Sequence, residues 1–141
     1  MPGIQEIQKE FSDDFSLLAN WEEKYEYLIE MGMDIPAMKP ENKVDENLVK
    51  GCQSSVWFDV NCQDGMIVFE ADSDSLVVKG MVAVLYKLFN HQSARDVLEA
   101  DLGLFEELGL WRHLSSQRSN GLTAMVAHLK AKAADCLAEG N

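Results

Sequence analysis

Hydrophobic residues recur along the chain at two spacings, and the switches between them mark the elements. From Gln5 to Phe15, Ile7, Phe11 and Phe15 return every fourth residue, the spacing of one face of an amphipathic helix. Asn20 then offers a side-chain oxygen as an N-cap, with Glu22 and Glu23 where a helix dipole favours acids. Trp21, Tyr25, Leu28 and Ile29 make the inward stripe of this second helix, which is expected to end near Gly32. Pro36 and Pro40 exclude regular structure between Ile35 and Lys43. Val44 to Lys50 is ambiguous and compatible with a short edge strand leading into Gly51-Cys52. Between Ser55 and Asp72 the spacing falls to two. Asp64-Gly65 is a favoured two-residue hairpin loop, and centring on it pairs Cys62 with Ile67, Val60 with Phe69, and Phe58 with Ala71. That register gathers Val56, Phe58, Val60, Ile67 and Phe69 on one face and sends Asp59, Asn61 and Glu70 to the other.

Asp72-Ser73-Asp74 is expected to end the second strand and cap the helix that follows. That helix, Leu76 to Phe89, is apolar nearly all round and therefore central, packed on the apolar face of the hairpin. Ser93 caps a short helix through Asp101, and one or two turns fall between Leu104 and Leu114. A final helix spans about Ser119 to Leu137, with Leu122, Met125, Val126 and Leu129 inward and Gly140 beyond its end. Strands early and helices around them predict an α+β fold, a small antiparallel β-sheet packed on one face by helices. No repeat, linker or low-complexity segment divides residues 1–141, so one domain is expected.

Composition narrows the function classes. At 141 residues, 47% hydrophobic and 26% charged, the chain can bury a core without metal or disulfide staples. A net charge of −12 disfavours nucleic acid and anionic membrane surfaces and suits a partner with a basic patch. Lys79 and Lys87 interrupt the longest apolar stretch, which is too short to span a bilayer. The amino-terminal residues show neither a basic nor an apolar signal region, so a cytoplasmic location is expected. Three cysteines in that setting are expected to be free thiols.

Cys52 is the residue that invites chemistry. Gly51 leaves its sulfur sterically open, a polar run follows, and Lys50 would favour the nucleophilic thiolate. Locally, an incidental loop cysteine remains an open alternative. Cys62 is expected to face the core as a small hydrophobe, and Cys136 to lie in the exposed, frayed last turns. Neither has a companion at metal-ligand spacing, and no phosphate-binding glycine loop appears, so neither metal nor cofactor is expected. His91, His113 and His128 are dispersed and read as surface or capping residues. Arg118 stands alone in Ser115-Ser116-Gln117-Arg118-Ser119-Asn120-Gly121, where a salt bridge and the stabilisation of an anion at Cys52 are both open readings.

Taken together, Gly51-Cys52-Gln53-Ser54-Ser55-Val56-Trp57, Asp72-Ser73-Asp74 with Val78-Lys79-Gly80, and Ser116-Gln117-Arg118-Ser119-Asn120-Gly121-Leu122 resemble the SufE family. Trp21-Glu22-Glu23-Lys24-Tyr25 and Leu28-Ile29-Glu30 extend the resemblance, which runs in order from about Trp21 to Lys132. It implies a SufE/IscU-like fold and a protein that stimulates a SufS-type, pyridoxal-phosphate-carrying cysteine desulfurase. It also implies transfer of the desulfurase's persulfide sulfur to Cys52, for delivery to iron–sulfur scaffold proteins. Arg118 maps to the family's arginine near the last helix. Gly51, Gln53, Asp72 and Asp74 fall at the loop and partner-facing positions. The Gly-Cys-Gln-Ser form resembles the Suf branch more than the CsdE branch. Extra cysteines at 62 and 136, and Ser55 in place of a larger polar residue, depart from the pattern. An iron–sulfur scaffold using Cys52 and a cysteine-based redox sensor are the competing readings. The implied mechanism expects the Cys52 sulfur to tuck toward the hairpin and final helix and to be presented when a partner docks.

Overall fold

The computed structural model describes residues 3–52, 54–101, 103, 105 and 116–139, with 116–118 as backbone. Its elements follow the hydrophobic pattern closely. α1 (Ile4–Ser16) buries Ile4, Phe11 and Phe15. α2 (Trp21–Asp34) opens on the Asn20 cap, whose side chain accepts from the Glu23 amide at 2.9 Å. Glu23 in turn accepts from the Ala19 amide at 2.7 Å, so each end of the turn satisfies an amide that would otherwise lack a partner. The hairpin is β1 (Val56–Gln63) and β2 (Met66–Ser73), and α3 (Leu76–Phe89) follows. β3 (Gln92–Ser93), α4 (Ala94–Glu99) and α5 (Ser116–Glu139) complete the described strands and α-helices, and a 3-10 turn at Pro40–Asn42, with proline at its first position, interrupts the stretch expected to hold no regular structure.

The sheet is antiparallel in the order β1-β2-β3. Asp64 and Gly65 form the turn with φ of 53° and 76°, left-handed values that a tight hairpin of matching twist requires. Cys62 opposes Ile67, Val60 opposes Phe69, and Phe58 opposes Ala71, as the alternation predicts. One face therefore carries Val56, Phe58, Ile67, Phe69 and Ala71 into the core, where Phe58 and Phe69 meet edge-on at 5.6 Å. α3 lies against this face with Val82, Ala83, Leu85, Leu88 and Phe89 sealed from solvent. Each large side chain so buried contributes roughly 1.5–3 kcal/mol. Helices on one face of a small antiparallel sheet make the fold α+β, as expected.

Several local expectations are corrected. α2 does not stop at Gly32 but continues to Asp34, because Gly32 is where α2 crosses α3. A Cβ on Gly80 would lie 2.6 Å from the Leu28 carbonyl oxygen, and one on Gly32 would lie 3.0 Å from the Gly80 nitrogen. Backbone touches backbone there. Val44 to Lys50 is not a strand: Asp45–Asn47 closes a 3-10 turn, since short polar side chains favour local turns over a ladder. Only Leu48 bridges Trp57, and the Val49 amide donates to the Val56 carbonyl at 2.8 Å. Ser75, not the Asp72–Asp74 run, caps α3. Ser93 caps α4 as expected, but that helix ends at Glu99 rather than Asp101. α5 begins before Ser119 and outlasts Leu137. Its buried stripe is Leu122, Met125, Leu129, Ala133 and Cys136, with Val126 only partly covered. The turns expected between Leu104 and Leu114 fall largely outside the described residues, as does Gly140.

Candidate functional site

Cys52 sits in a short bow of chain whose two ends are pinned to the hairpin. At the leading end, Leu48 and Val49 hold the edge of β1 through the bridge and hydrogen bond just given. At the trailing end, the Ser55 amide donates to the Asp74 carboxylate at 3.1 Å. The Ser55 carbonyl accepts from the Asp74 amide at 3.2 Å and from the Ser73 hydroxyl at 2.9 Å. Asp74, exposed and just past the end of β2, thus restrains the loop.

Between the pins the chain bends over the first turns of α5. Gly51 takes φ +95°, a left-handed conformation that strains any L side chain. A Cβ there would also press on Ala124 Cβ at 3.2 Å. Cys52 Sγ rests on Gly121, donating to its carbonyl oxygen at 3.5 Å. A Cβ on Gly121 would stand 3.6 Å from that sulfur and 4.0 Å from Cys52 Cα. The sulfur is half-buried and packs against the apolar core. Burial pushes the Cys52 thiol above its ordinary value, so the resting form is the neutral thiol. This reverses the expected effect of Lys50, which is exposed and leaves desolvation as the controlling influence.

Arg118 lies on α5 one turn before Gly121, and its side chain, like Gln53, falls outside the described residues. Asp72 is buried in a different environment from its neighbour Asp74. It pairs with Lys43 and, at 3.3 Å, with Lys79, and it accepts from the Ser73 amide at 2.8 Å. Burial alone would raise its carboxyl, but the two lysines and the amide outweigh that and hold it below the usual carboxylate range. The arrangement ties the segment before the loop to α3. Sequence reasoning missed Gly121 and Ala124 as the seat of the thiol. Their signal was Gly121 itself, since a glycine inside a helix costs about 1 kcal/mol against alanine and marks a close approach.

The other two cysteines are not free thiols. Cys62 and Cys136 form a disulfide, with Cα atoms 5.5 Å apart, between the end of β1 and the last turns of α5. Their expected environments are exchanged: Cys62 is exposed and Cys136 is 2% exposed. The alternation near the turn outruns the core, while the buried stripe of α5 continues to its end. Of the histidines, His91 is exposed at φ 64°. His128 is not a surface residue. Its ring meets Phe58 at 5.9 Å, and its Nε2 is buried with no partner among the described residues. Burial, then the nearby Lys132 charge, lower its pKa. His113 lies outside the described residues. Among the described residues no group of three His, Cys, Asp or Glu could hold a metal ion. No helix among them is long and apolar enough to cross a membrane.

A family model described as SufE, Fe-S metabolism associated domain, matches residues 9–133. An uncharacterized SufE-like protein of Rhizobium meliloti (strain 1021) is 39% identical over 126 residues, covering 86% of this chain and 90% of the relative. The solution structure of a hypothetical protein from Thermus thermophilus is similar in fold, with a TM-score of 0.78 at 22% identity. That likeness covers 94% of this chain and 96% of the other.

Proposed function

The chain belongs to the SufE family, and from that premise we propose that Cys52 is the thiol on which it accepts sulfur from a SufS-type cysteine desulfurase. Sulfur relay is the general function of that family, whose members partner with cysteine desulfurases and iron–sulfur scaffold proteins. The observation that carries the assignment to Cys52 is its seat: a half-buried sulfur on Gly121, in a short loop whose two ends are held to the hairpin.

The transfer is an exchange at sulfur. On docking, the Cys52 loop leaves Gly121, the thiol regains solvent, and its proton passes to water or a base of the partner. The Cys52 thiolate attacks the outer sulfur of the desulfurase persulfide. A bond forms between that sulfur and Cys52 Sγ, the old S–S bond breaks, and the desulfurase cysteine leaves as thiolate. No net oxidation occurs. Return of the loop to its seat then shields the Cys52 persulfide until a scaffold protein takes the sulfur. Arg118, at the start of α5, is proposed to stabilise the anionic sulfur. Gly51 supplies the bend, while Asp74, Asp72 and Gln53 shape the loop and the surface that meets the partner. Clearing the desulfurase persulfide in this way stimulates its turnover. A chain of this kind works as one SufE-like unit in the cytoplasm and needs no cofactor of its own. The raised Cys52 thiol supports this reading over a peroxide sensor, which works through an easily ionised thiol.

The test is mass spectrometry of the intact protein and its peptides after incubation with a cysteine desulfurase and free cysteine, without added reductant. Added sulfur is expected on the Cys52 peptide and absent in Cys52→Ser. Sulfur found elsewhere, or equally in the variant, rules the assignment out.

A further inference from the structure

The Cys62–Cys136 disulfide lies outside the site just described. Cys52 sits over Gly121 near the start of α5, and Cys136 lies fifteen residues further along the same helix. At 1.5 Å per residue that separation is roughly 22 Å. Direct exchange between Cys52 and the pair is therefore excluded in the folded chain. The two sites are linked through α5 and through β1, which carries Cys62 near one end and anchors the Cys52 loop at the other.

Three features of the pair point the same way. First, its two residues are unequally exposed, since Cys62 stands on the exposed end of β1 while Cys136 is 2% exposed. An incoming thiolate can reach the first and not the second. Second, the bond spans 74 residues and is the covalent tie between α5 and the hairpin. Third, α5 also meets β1 directly, so a change at its far end is carried along a packed helix. At mid-helix, His128 buries an Nε2 with no partner among the described residues, against Phe58 of β1.

We propose that Cys62–Cys136 is a thiol–disulfide exchange site, opened by a dithiol reductant, and that its state sets how firmly α5 is held over the Cys52 loop. The reductant thiolate attacks Cys62 Sγ, forming a mixed disulfide and releasing Cys136, which takes a proton. The second thiol of the reductant then attacks its own sulfur in that bond, leaves as a cyclic disulfide, and frees Cys62 as thiolate. Two electrons pass to the protein and the reductant is oxidised. With the tie open, α5 lifts more readily from β1, and Gly121 and Ala124 move with it. The closed pair holds the Cys52 sulfur shielded, and the open pair releases it. The regulatory meaning rests on Cys52 being the sulfur acceptor; the mechanical coupling does not.

The experiment compares oxidised wild type, wild type reduced with dithiothreitol and desalted anaerobically, and the Cys62→Ala/Cys136→Ala double variant. Each is pulse-labelled with iodoacetamide under native conditions, and the Cys52 peptide is quantified. Oxidised protein is expected to label at Cys52 alone, and limiting glutathione is expected to form its mixed disulfide at Cys62. Cys52 labelling should be about threefold faster or more in both open forms, as for a locally loosened segment. Labelling of Cys62 in the oxidised protein, a mixed disulfide at Cys136, or Cys52 rates equal across all forms would overturn the proposal. Loading by a desulfurase is scored separately on the same samples. Sulfur uptake with equal labelling rates leaves Cys52 as acceptor and removes the coupling, while unequal labelling without uptake does the reverse.

Discussion

The Cys52 thiol shows how a residue's chemistry departs from its sequence neighbours. Lys50 and the surrounding polar run suggest an activated thiolate, yet the loop folds the sulfur onto Gly121 and desolvation dominates. The sign for stability follows. A thiol raised in the folded state favours folding below the ordinary thiol value, and that contribution is lost as pH rises through the raised folded value. The same shift governs reactivity. The rate of Cys52 alkylation in the native protein is expected to keep climbing with pH after that of the urea-unfolded chain has levelled off. Matching pH–rate profiles for native and unfolded protein would show that the seat exerts no such control. Cys52, Gly51 and Asp74 were legible as a group because they lie in one short loop and its hairpin register. The partners that define their environment were not. Gly121 is 69 residues from Cys52, and Lys43 and Lys79 reach Asp72 from separate elements.

At the scale of elements, legibility tracked local pattern. The hairpin was readable to the residue pair because the Asp64-Gly65 turn and the alternation of apolar residues specify one register independently. α3 was readable in extent because its apolar run, Leu76 to Phe89, is itself continuous, although the residue that caps it was misplaced by one to three positions. The α2–α3 crossing was not, because a glycine late in a helix has the same signature whether it ends the helix or admits a neighbour. Gly32 does the second. The consequence is testable at Gly80, where an added methyl meets the Leu28 carbonyl, a group that cannot rotate away. Gly80→Ala is expected to force the helices apart and destabilise the fold by about 2–3 kcal/mol in urea unfolding, despite the better helix propensity of alanine. An unchanged or raised midpoint would mean the crossing is looser than described. The disulfide belongs to the same class of unreadable fact, since its halves are brought together only by the packing of α5 across β1.

Across the whole molecule, 24 acidic residues against 12 basic ones leave a net charge of −12. Several of the basic groups are already engaged. Lys43 and Lys79 pair with Asp72, Lys9 with Asp13, and Arg95 with Glu99, while Lys130 donates to the Ala100 carbonyl. The remaining surface repels itself at low ionic strength, an effect that salt screens over about 10 Å at 0.1 M. The melting temperature is therefore expected to rise by a few degrees between about 10 and 200 mM sodium chloride. A flat or falling melting temperature would show that the charges are spaced too widely to matter. Docking of a partner through a basic face, as its charge would suit, is expected to weaken over the same range of salt.

The pins at Val49 and Ser55 also act as a leash. Cys52 is three residues from each, so even a fully extended loop carries its sulfur-bearing residue only about 10 Å from either anchor. Under the proposed transfer to Cys52, the donor must therefore come to the carrier rather than the carrier reach into the donor. A desulfurase whose persulfide lies deeper than that span has to send its own cysteine outward, so the length of this loop sets a meeting point that both proteins must attain.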